Sequence, residues 1–429
     1  MKYTCITLNL LLLLLILQSL LIACDINDII AQLLNVRVKE VPGLILQEKI
    51  LINGSSQLTQ LLDESTFCGS SIDIKANKIF INTIDMSKKG SITNNPAMKP
   101  YLNLLSFVQV KNSLAQLNFT FNEASKLADK YNATFDRISI ECQVQVNNVV
   151  IYLNHAYDEK NAAFIKSIKE LKPIPIISYI VDQKKEVTIN PSINKPSMPV
   201  RVFQVFGGDG IYTISQTGCS AGFWVRLRGR ELLVTAGHCG GLTEQIDPRR
   251  RDFYHLSWVD PAFNFKLIGS MIVHFVSPVD KGFIMRNNTN AHAVPFIRSG
   301  ANDYLQISGV VSPLEVPRGS LICKSGYSTK VTCGFIDTIY GTLVHSDGVT
   351  HDRVIVIKYM LCAAFDSGGP VYAYDPNTFV TYLIGIVFGG QIENGTNFCL
   401  AHPVEAILIP GMEVMTINNT PNYETPVIY

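Results

Sequence analysis

The sequence predicts an all-β second half behind a small α+β first half, and three observations carry that reading. From Val202 onward, short Val/Ile/Phe runs are broken by Gly, Pro, Asn and Asp, with hardly a helical stretch before the C-terminus. Such spacing signals a sandwich or barrel. Residues 25–180 instead mix hairpin signals with helical periodicity. Between them, Asn190-Pro191, Lys195-Pro196 and Met198-Pro199 keep a segment extended and accessible. A chain of 429 residues is long for one compact unit, and 47% apolar against 17% charged residues favours packed cores. The expected division is 1–24, 25–180, 181–202 and 203–429.

In residues 1–24, Lys2 precedes an apolar run from Leu10 to Leu17 that continues to Ala23, and Asp25 and Asp28 restore polarity. A basic start, an apolar stretch and a small residue before the break describe a secretory signal. The rival, an uncleaved membrane anchor, fits less well because Thr7, Asn9, Gln18 and Ser19 interrupt the stretch. Leu21-Ile22-Ala23-Cys24 also matches a bacterial lipoprotein cleavage pattern, over four residues only. No second long apolar segment follows, so an extracellular protein without stable membrane association is expected.

Cysteine usage agrees with export. Cys5 and Cys24 fall in the signal, leaving Cys68, Cys142, Cys219, Cys239, Cys323, Cys333, Cys362 and Cys399. An even number in an exported chain points to disulfides. No close CxxC pair exists to hold zinc, and neither a metal nor a cofactor is expected. Sequons at Asn53, Asn118, Asn132, Asn287, Asn394 and Asn418 would make it a glycoprotein in a eukaryotic host. A formal charge of +1 offers no basic field for nucleic acid.

In the first half, Ile72 and Ile74 stand before the turn-like Lys75-Ala76-Asn77, with Ile79, Ile81 and Ile84 after it, predicting a hairpin. Ile138, Ile140, Val144 and Val146 before Asn147-Asn148, with Val149 to Leu153 after, predict another. Helical period marks Asn122–Tyr131 and Asn161–Leu171. Nothing in this half gathers a nucleophile, a base and an acid.

Three segments of the second half do. Leu233-Val234-Thr235-Ala236-Gly237-His238-Cys239 is an apolar strand ending at a histidine, Val279-Asp280-Lys281-Gly282-Phe283-Ile284 sets an aspartate before a strand, and Phe365-Asp366-Ser367-Gly368-Gly369-Pro370 puts a serine on a glycine-rich loop. A serine hydroxyl attacks only if a base takes its proton, and a buried carboxylate must hold that base in the right tautomer. Glycines beside the serine let backbone N–H groups face a developing oxyanion. The chain order His, Asp, Ser excludes subtilisin and α/β-hydrolase arrangements, and no G-x-S-x-G elbow supports a lipase or esterase.

Ala236-Gly237-His238-Cys239 and Asp366-Ser367-Gly368-Gly369-Pro370 resemble the trypsin/chymotrypsin superfamily of serine proteases. Gly207-Gly208-Asp209-Gly210-Ile211-Tyr212, Gly218-Cys219-Ser220-Ala221-Gly222-Phe223, Cys323-Lys324-Ser325-Gly326 to Cys333-Gly334, and Phe388-Gly389-Gly390 through Cys399 resemble its streptogrisin and α-lytic protease branch. The likeness covers roughly residues 203–410. Phe67-Cys68-Gly69-Ser70-Ser71-Ile72-Asp73 with Asn77-Lys78-Ile79 is similar, more faintly, to the pro-region of that branch. The resemblance implies a catalytic unit of two antiparallel six-stranded β-barrels behind an α+β pro-domain. It implies His238, Asp280 and Ser367 as the catalytic residues and the Phe365 and Ser367 N–H groups as the oxyanion hole. Phe388, Gly389 and Gly390 would pair with the substrate backbone. It also implies Cys219–Cys239, Cys323–Cys333 and Cys362–Cys399, which leaves Cys68 with Cys142. The expectation is therefore a secreted serine endopeptidase, monomeric, made as a zymogen that processes itself between about Pro199 and Phe206. Its partners would be protein or peptide substrates and its own pro-domain.

Asp247, Asp252 and Asp260 compete with Asp280, but they sit in a Pro/Arg-rich insertion, whereas Asp280 opens an apolar strand. Asp366 is expected to form a structural ion pair with Lys324, and His274 and His402 to be framework histidines. The resemblance implies that Leu361, Ala363 and Ala364 line the pocket floor, so an apolar residue before the cut is expected. Two departures stand out: Phe365 replaces the family's glycine, and Cys362 lies one residue closer to Ser367 than in streptogrisin-like proteins. A bulky residue resists glycine's torsions, so the alternative is a catalytically impaired homologue acting as a binding module.

Overall fold

The computed structural model describes residues 25–143, 145–179, 202–215, 218–243, 245–258, 266–344, 349–393 and 395–420. The signal, nearly all of the 181–202 linker, Asp260 and Asn394 lie outside them.

The first half opens with helices α1 (Ile26–Leu34) and α2 (Val41–Thr59). Asp25 caps α1 in a reciprocal box with Asp28, satisfying N–H groups that the first turn leaves bare. Strands β1 (Phe67–Asp73) and β2 (Lys78–Thr83) form the first expected hairpin. Helix α3 (Lys89–Thr93) follows, and β3 (Leu105–Gln109) joins β2 in parallel. Helix α4 runs from Leu114 to Tyr131, starting earlier than its periodicity predicted because Ser113 and Gln116 cap it. Strands β4 (Arg137–Glu141) and β5 (Asn148–Leu153) are the second hairpin, and helix α5 spans Asp158–Ile168. Strand β6 (Ile176–Tyr179) then lies parallel to β5.

The second half is strands almost throughout: β7 (Phe203–Gly207), β8 (Gly210–Thr213), β9 (Gly218–Ser220), β10 (Trp224–Leu227), β11 (Arg230–Thr235), β12 (Asp252–Leu256), β13 (Lys266–Phe275) and β14 (Lys281–Arg286). After them come β15 (Ala291–Arg298), β16 (Tyr304–Val310), β17 (Leu321–Gly326), β18 (Lys330–Val344) and β19 (Thr350–Lys358). The chain ends with β20 (Pro370–Asp375), β21 (Val380–Glu393), β22 (Thr396–Pro403), a helical turn α6 (Val404–Ile407) and β23 (Glu413–Val414). One sheet has the order β23-β10-β11-β14-β13-β12-β8-β9. In the other, pairing runs β18-β17-β20-β21-β22-β19 and back to β18, so six strands close a ring. Ring closure removes exposed edges. Among the described residues of this half, β15 pairs with β7 and β16 with β21 in parallel.

The halves are not separate bodies. Thr342 on β18 pairs with Ile138 on β4, which carries β4, β5 and β6 onto the second sheet. Ile26, Ile30 and Leu34 of α1 share a buried cluster with Val331, Tyr372 and Tyr374. The buried Glu48 of α2 accepts a 2.6 Å bond from the Leu321 N–H. Disulfides join Cys68–Cys142, Cys219–Cys239, Cys323–Cys333 and Cys362–Cys399.

Candidate active site

His238 follows β11 in a short helical turn, Gly237–Gly240. Gly237 is required there: a Cβ would sit 2.0 Å from the Phe275 carbonyl oxygen. His274, buried beneath the turn, bonds the Gly237 carbonyl through Nδ1 at 2.7 Å, the framework part expected of it. Register supplies the acid. Thr235 at the end of β11 faces Gly282 on β14, so Asp280, two residues ahead of Gly282, arrives beside His238. Its carboxylate accepts the His238 backbone N–H at 3.0 Å and meets the ring Nδ1 at 2.6 Å. Burial alone would raise the Asp280 carboxyl, but the charge of His238 and these bonds prevail and hold it below the usual carboxylate range. A carboxylate so placed fixes the tautomer with Nδ1 protonated and Nε2 as the acceptor. Of the rival aspartates, Asp247 is engaged with Arg249 and Asp252 with the Ser270 hydroxyl.

Ser367 lies on the loop before β20. The Ser220 N–H donates to its carbonyl at 2.7 Å, and Gly368 and Gly369 exchange bonds with Val387 on β21. Gly368, at φ +90°, is pressed so closely to β11 that a Cβ would lie 2.1 Å from Thr235 Oγ1. The loop is thereby wedged between the strand leading to His238 and the strand leading to Phe388. Under it, Asp366 and Lys324 form a wholly buried ion pair at 3.1 Å. Asp366 also accepts from the N–H groups of Ala363, Ser328 and Thr329. Burial lowers the Lys324 ammonium to about 8. Buried charges persist only when paired and hydrogen-bonded in this way.

Phe365 takes the torsion its type resists, with φ at +74°. That region costs a non-glycine residue roughly 1–2 kcal/mol. The reason it fits lies across the loop: a Cβ at Gly218 would fall 1.7 Å from the Phe365 ring. The missing side chain at Gly218 makes room for the ring, while the Phe365 carbonyl accepts the Ser220 hydroxyl at 2.7 Å.

On β21, pairing with β20 stops at Ile386, and Val387 bonds the serine loop. Among the described residues, Gly389 and Gly390 are paired on the β22 side only, and Phe388 is the bulged residue between Val387 and Gly389, which leaves an edge for an incoming strand. Phe388 itself turns inward and stacks on the buried ring of His402 at 4.3 Å. Burial pushes His402 down to about 3, so it stays neutral. Leu361 and Ala364 are exposed and Ala363 half-buried, with no carboxylate in that run.

Cys219, His238 and Cys239 bring potential metal-binding atoms within 4.8 Å, but both sulfurs are spent in a disulfide. Sequence reasoning missed Asp209, which is wholly buried between Arg298 at 3.1 Å and His255 at 2.9 Å and anchors the start of the second half. Its only signal was an acid inside a glycine-rich run.

No family model matches the chain. Over 218 residues it is 30% identical to serine protease 1 of Streptomyces fradiae. The match covers 50% of this chain and 54% of that relative, so the chain spans about half the length of the curated relative it matches. Among solved structures, Thermobifida fusca protease A is 21% identical with a TM-score of 0.40, and Cellulomonas bogoriensis chymotrypsin is 24% identical with a TM-score of 0.39. Each covers 50% of this chain and 100% of the other. Among the described residues, no helix is long and apolar enough to cross a membrane.

Proposed function

We propose that this protein is a secreted serine endopeptidase, with Ser367 as nucleophile, His238 as general base and acid, and Asp280 as the group that orients His238. The observation that carries the reading is the pair of hydrogen bonds between His238 and Asp280, through ring and backbone. Ser367 Oγ attacks the peptide carbonyl as its proton passes to His238 Nε2, and the Phe365 and Ser367 N–H groups hold the oxyanion. The intermediate collapses as His238 returns the proton to the leaving amine, and water then releases the acyl group by the reverse relay. The left-handed torsion at Phe365 supports a formed oxyanion hole over the non-catalytic binding module. The substrate adds a strand along Phe388–Gly390 and places an apolar side chain over Leu361, Ala363 and Ala364.

In this reading the two second-half sheets are the two barrels of the catalytic unit, which works as a monomer without a cofactor. The first half is its pro-domain. The enzyme cuts its own chain between about Pro199 and Phe206, and the pro-domain assists a slow, long-range strand pairing beforehand. The purified secreted protein is expected to cleave peptides, and Ser367→Ala to abolish cleavage while the protein still folds. Casein cleavage by the variant at the wild-type rate sinks the assignment. Terminal sequencing of the same sample checks maturation, and Asp25 still attached to an active enzyme contradicts it.

A further inference from the structure

Arg137 of β4 is a first-half residue whose side chain is wholly buried against the second half. Its guanidinium meets the Glu393 carboxylate at 3.1 Å through Nη1 and at 3.4 Å through Nη2. It stands 4.1 Å from the Tyr152 ring centre and 5.6 Å from that of Phe398. Glu393 and Phe398 belong to the second half. Glu393 ends β21, the strand of Phe388–Gly390, and Phe398 faces Gln391 across the ladder with β22. Asp337 on β18 adds a second negative charge near Glu393. Among the described residues, no cation of the second half is paired with Glu393.

A guanidinium is buried where a matching carboxylate receives it, and its plane can also lie on an aromatic ring. Once the first half departs, the Glu393 carboxylate is left uncovered on the strand that receives substrate, with the Phe398 ring beside it on β22. Glu393 lies three residues past Gly390, or roughly 10 Å along the strand. Because Phe388 adjoins the serine loop, that direction leads away from the scissile bond along the bound acyl portion.

We propose that Glu393 and Phe398 form a subsite for an arginine side chain of the substrate, on the amino side of the cut, which Arg137 fills in the precursor. The inference rests on the endopeptidase reading and adds a second selection, of a planar cation at a distance from the bond cut. Lysine enters less well, since it offers a point charge and no face to lie on the ring.

The test is a position-scanned fluorogenic peptide library, with an apolar residue fixed before the cut, given to the secreted product of the full chain. Arginine is expected to be enriched about tenfold over norleucine at one upstream position, the size of a charge-assisted contact. Glu393→Gln should erase the enrichment and Glu393→Asp keep part of it. For the wild type it should shrink as ionic strength rises above about 0.15 M. Cleavage without arginine preference at any upstream position overturns the subsite, as does a preference that survives Glu393→Gln. Should Glu393→Gln fail to fold, the wild-type profile and its salt dependence decide alone. A sample that cleaves no peptide and takes no fluorophosphonate at Ser367 contradicts the peptidase reading instead.

Discussion

Glu48→Gln, made in a Ser367→Ala background so that the sample does not cut itself, is predicted to flatten the pH dependence of stability. Glu48 on α2 is 5% exposed, and it accepts a hydrogen bond from the Leu321 N–H at 2.6 Å. Burial dominates, with the hydrogen bond and Lys49 opposing it, and the carboxyl is raised from 4.5 to about 8. Between those values the folded protein keeps a proton that the unfolded chain gives up. Stability is therefore fully present below pH 4.5 and drains away as pH rises to about 8. At pH 7, about 2.5 units above the unfolded value, the loss is about 3 kcal/mol at roughly 1.4 kcal/mol per unit. Glutamine keeps the acceptor for Leu321 and has no proton to lose. Urea denaturation should find variant and parent alike near pH 4.5 and the variant more stable by about 3 kcal/mol at pH 7. Parallel pH profiles for the two proteins would refute the reasoning.

Gly218→Ala places a methyl group inside the Phe365 ring, so the loop must shift; turnover should fall on the order of 10²-fold, the worth of one oxyanion donor. Steady-state rates check this, and an unchanged kcat would mean that the ring does not hold the donor in place. Lys324→Met strips Asp366 of its buried counter-charge and should cost about 3–5 kcal/mol in chemical denaturation. A loss under about 1 kcal/mol would show that the backbone donors and the Thr329 hydroxyl satisfy the carboxylate without Lys324.

The candidate site was legible in the sequence where it is local. Ala236–Cys239 and Asp366–Pro370 carry their meaning within a few residues, and the strand after Asp280 gave its apolar pattern. The β character of the second half was equally open, since turn residues punctuate it. Helix α2 was hidden because its buried face includes Glu48, Gly54 and Ser55, so no apolar stripe betrays it. Gly54 is small for a tertiary reason: a Cβ there would meet Ile79 at 2.7 Å and Tyr101 at 2.9 Å. Phe365 read as an obstacle because its counterpart, Gly218, lies far away in sequence. The Thr342–Ile138 link and the Arg137–Glu393 pair join the two halves, and no local pattern announces either.

The most direct test of the account is where a fluorophosphonate attaches. An activated serine reacts with it and an ordinary one does not, because only the first has a base to take its proton. Peptide mass mapping of the labelled secreted protein should place one adduct on Ser367. His238→Ala should suppress it without unfolding the protein. No adduct on the folded wild type, or an adduct that persists at full rate without His238, would contradict the claim that these residues form a working catalytic centre.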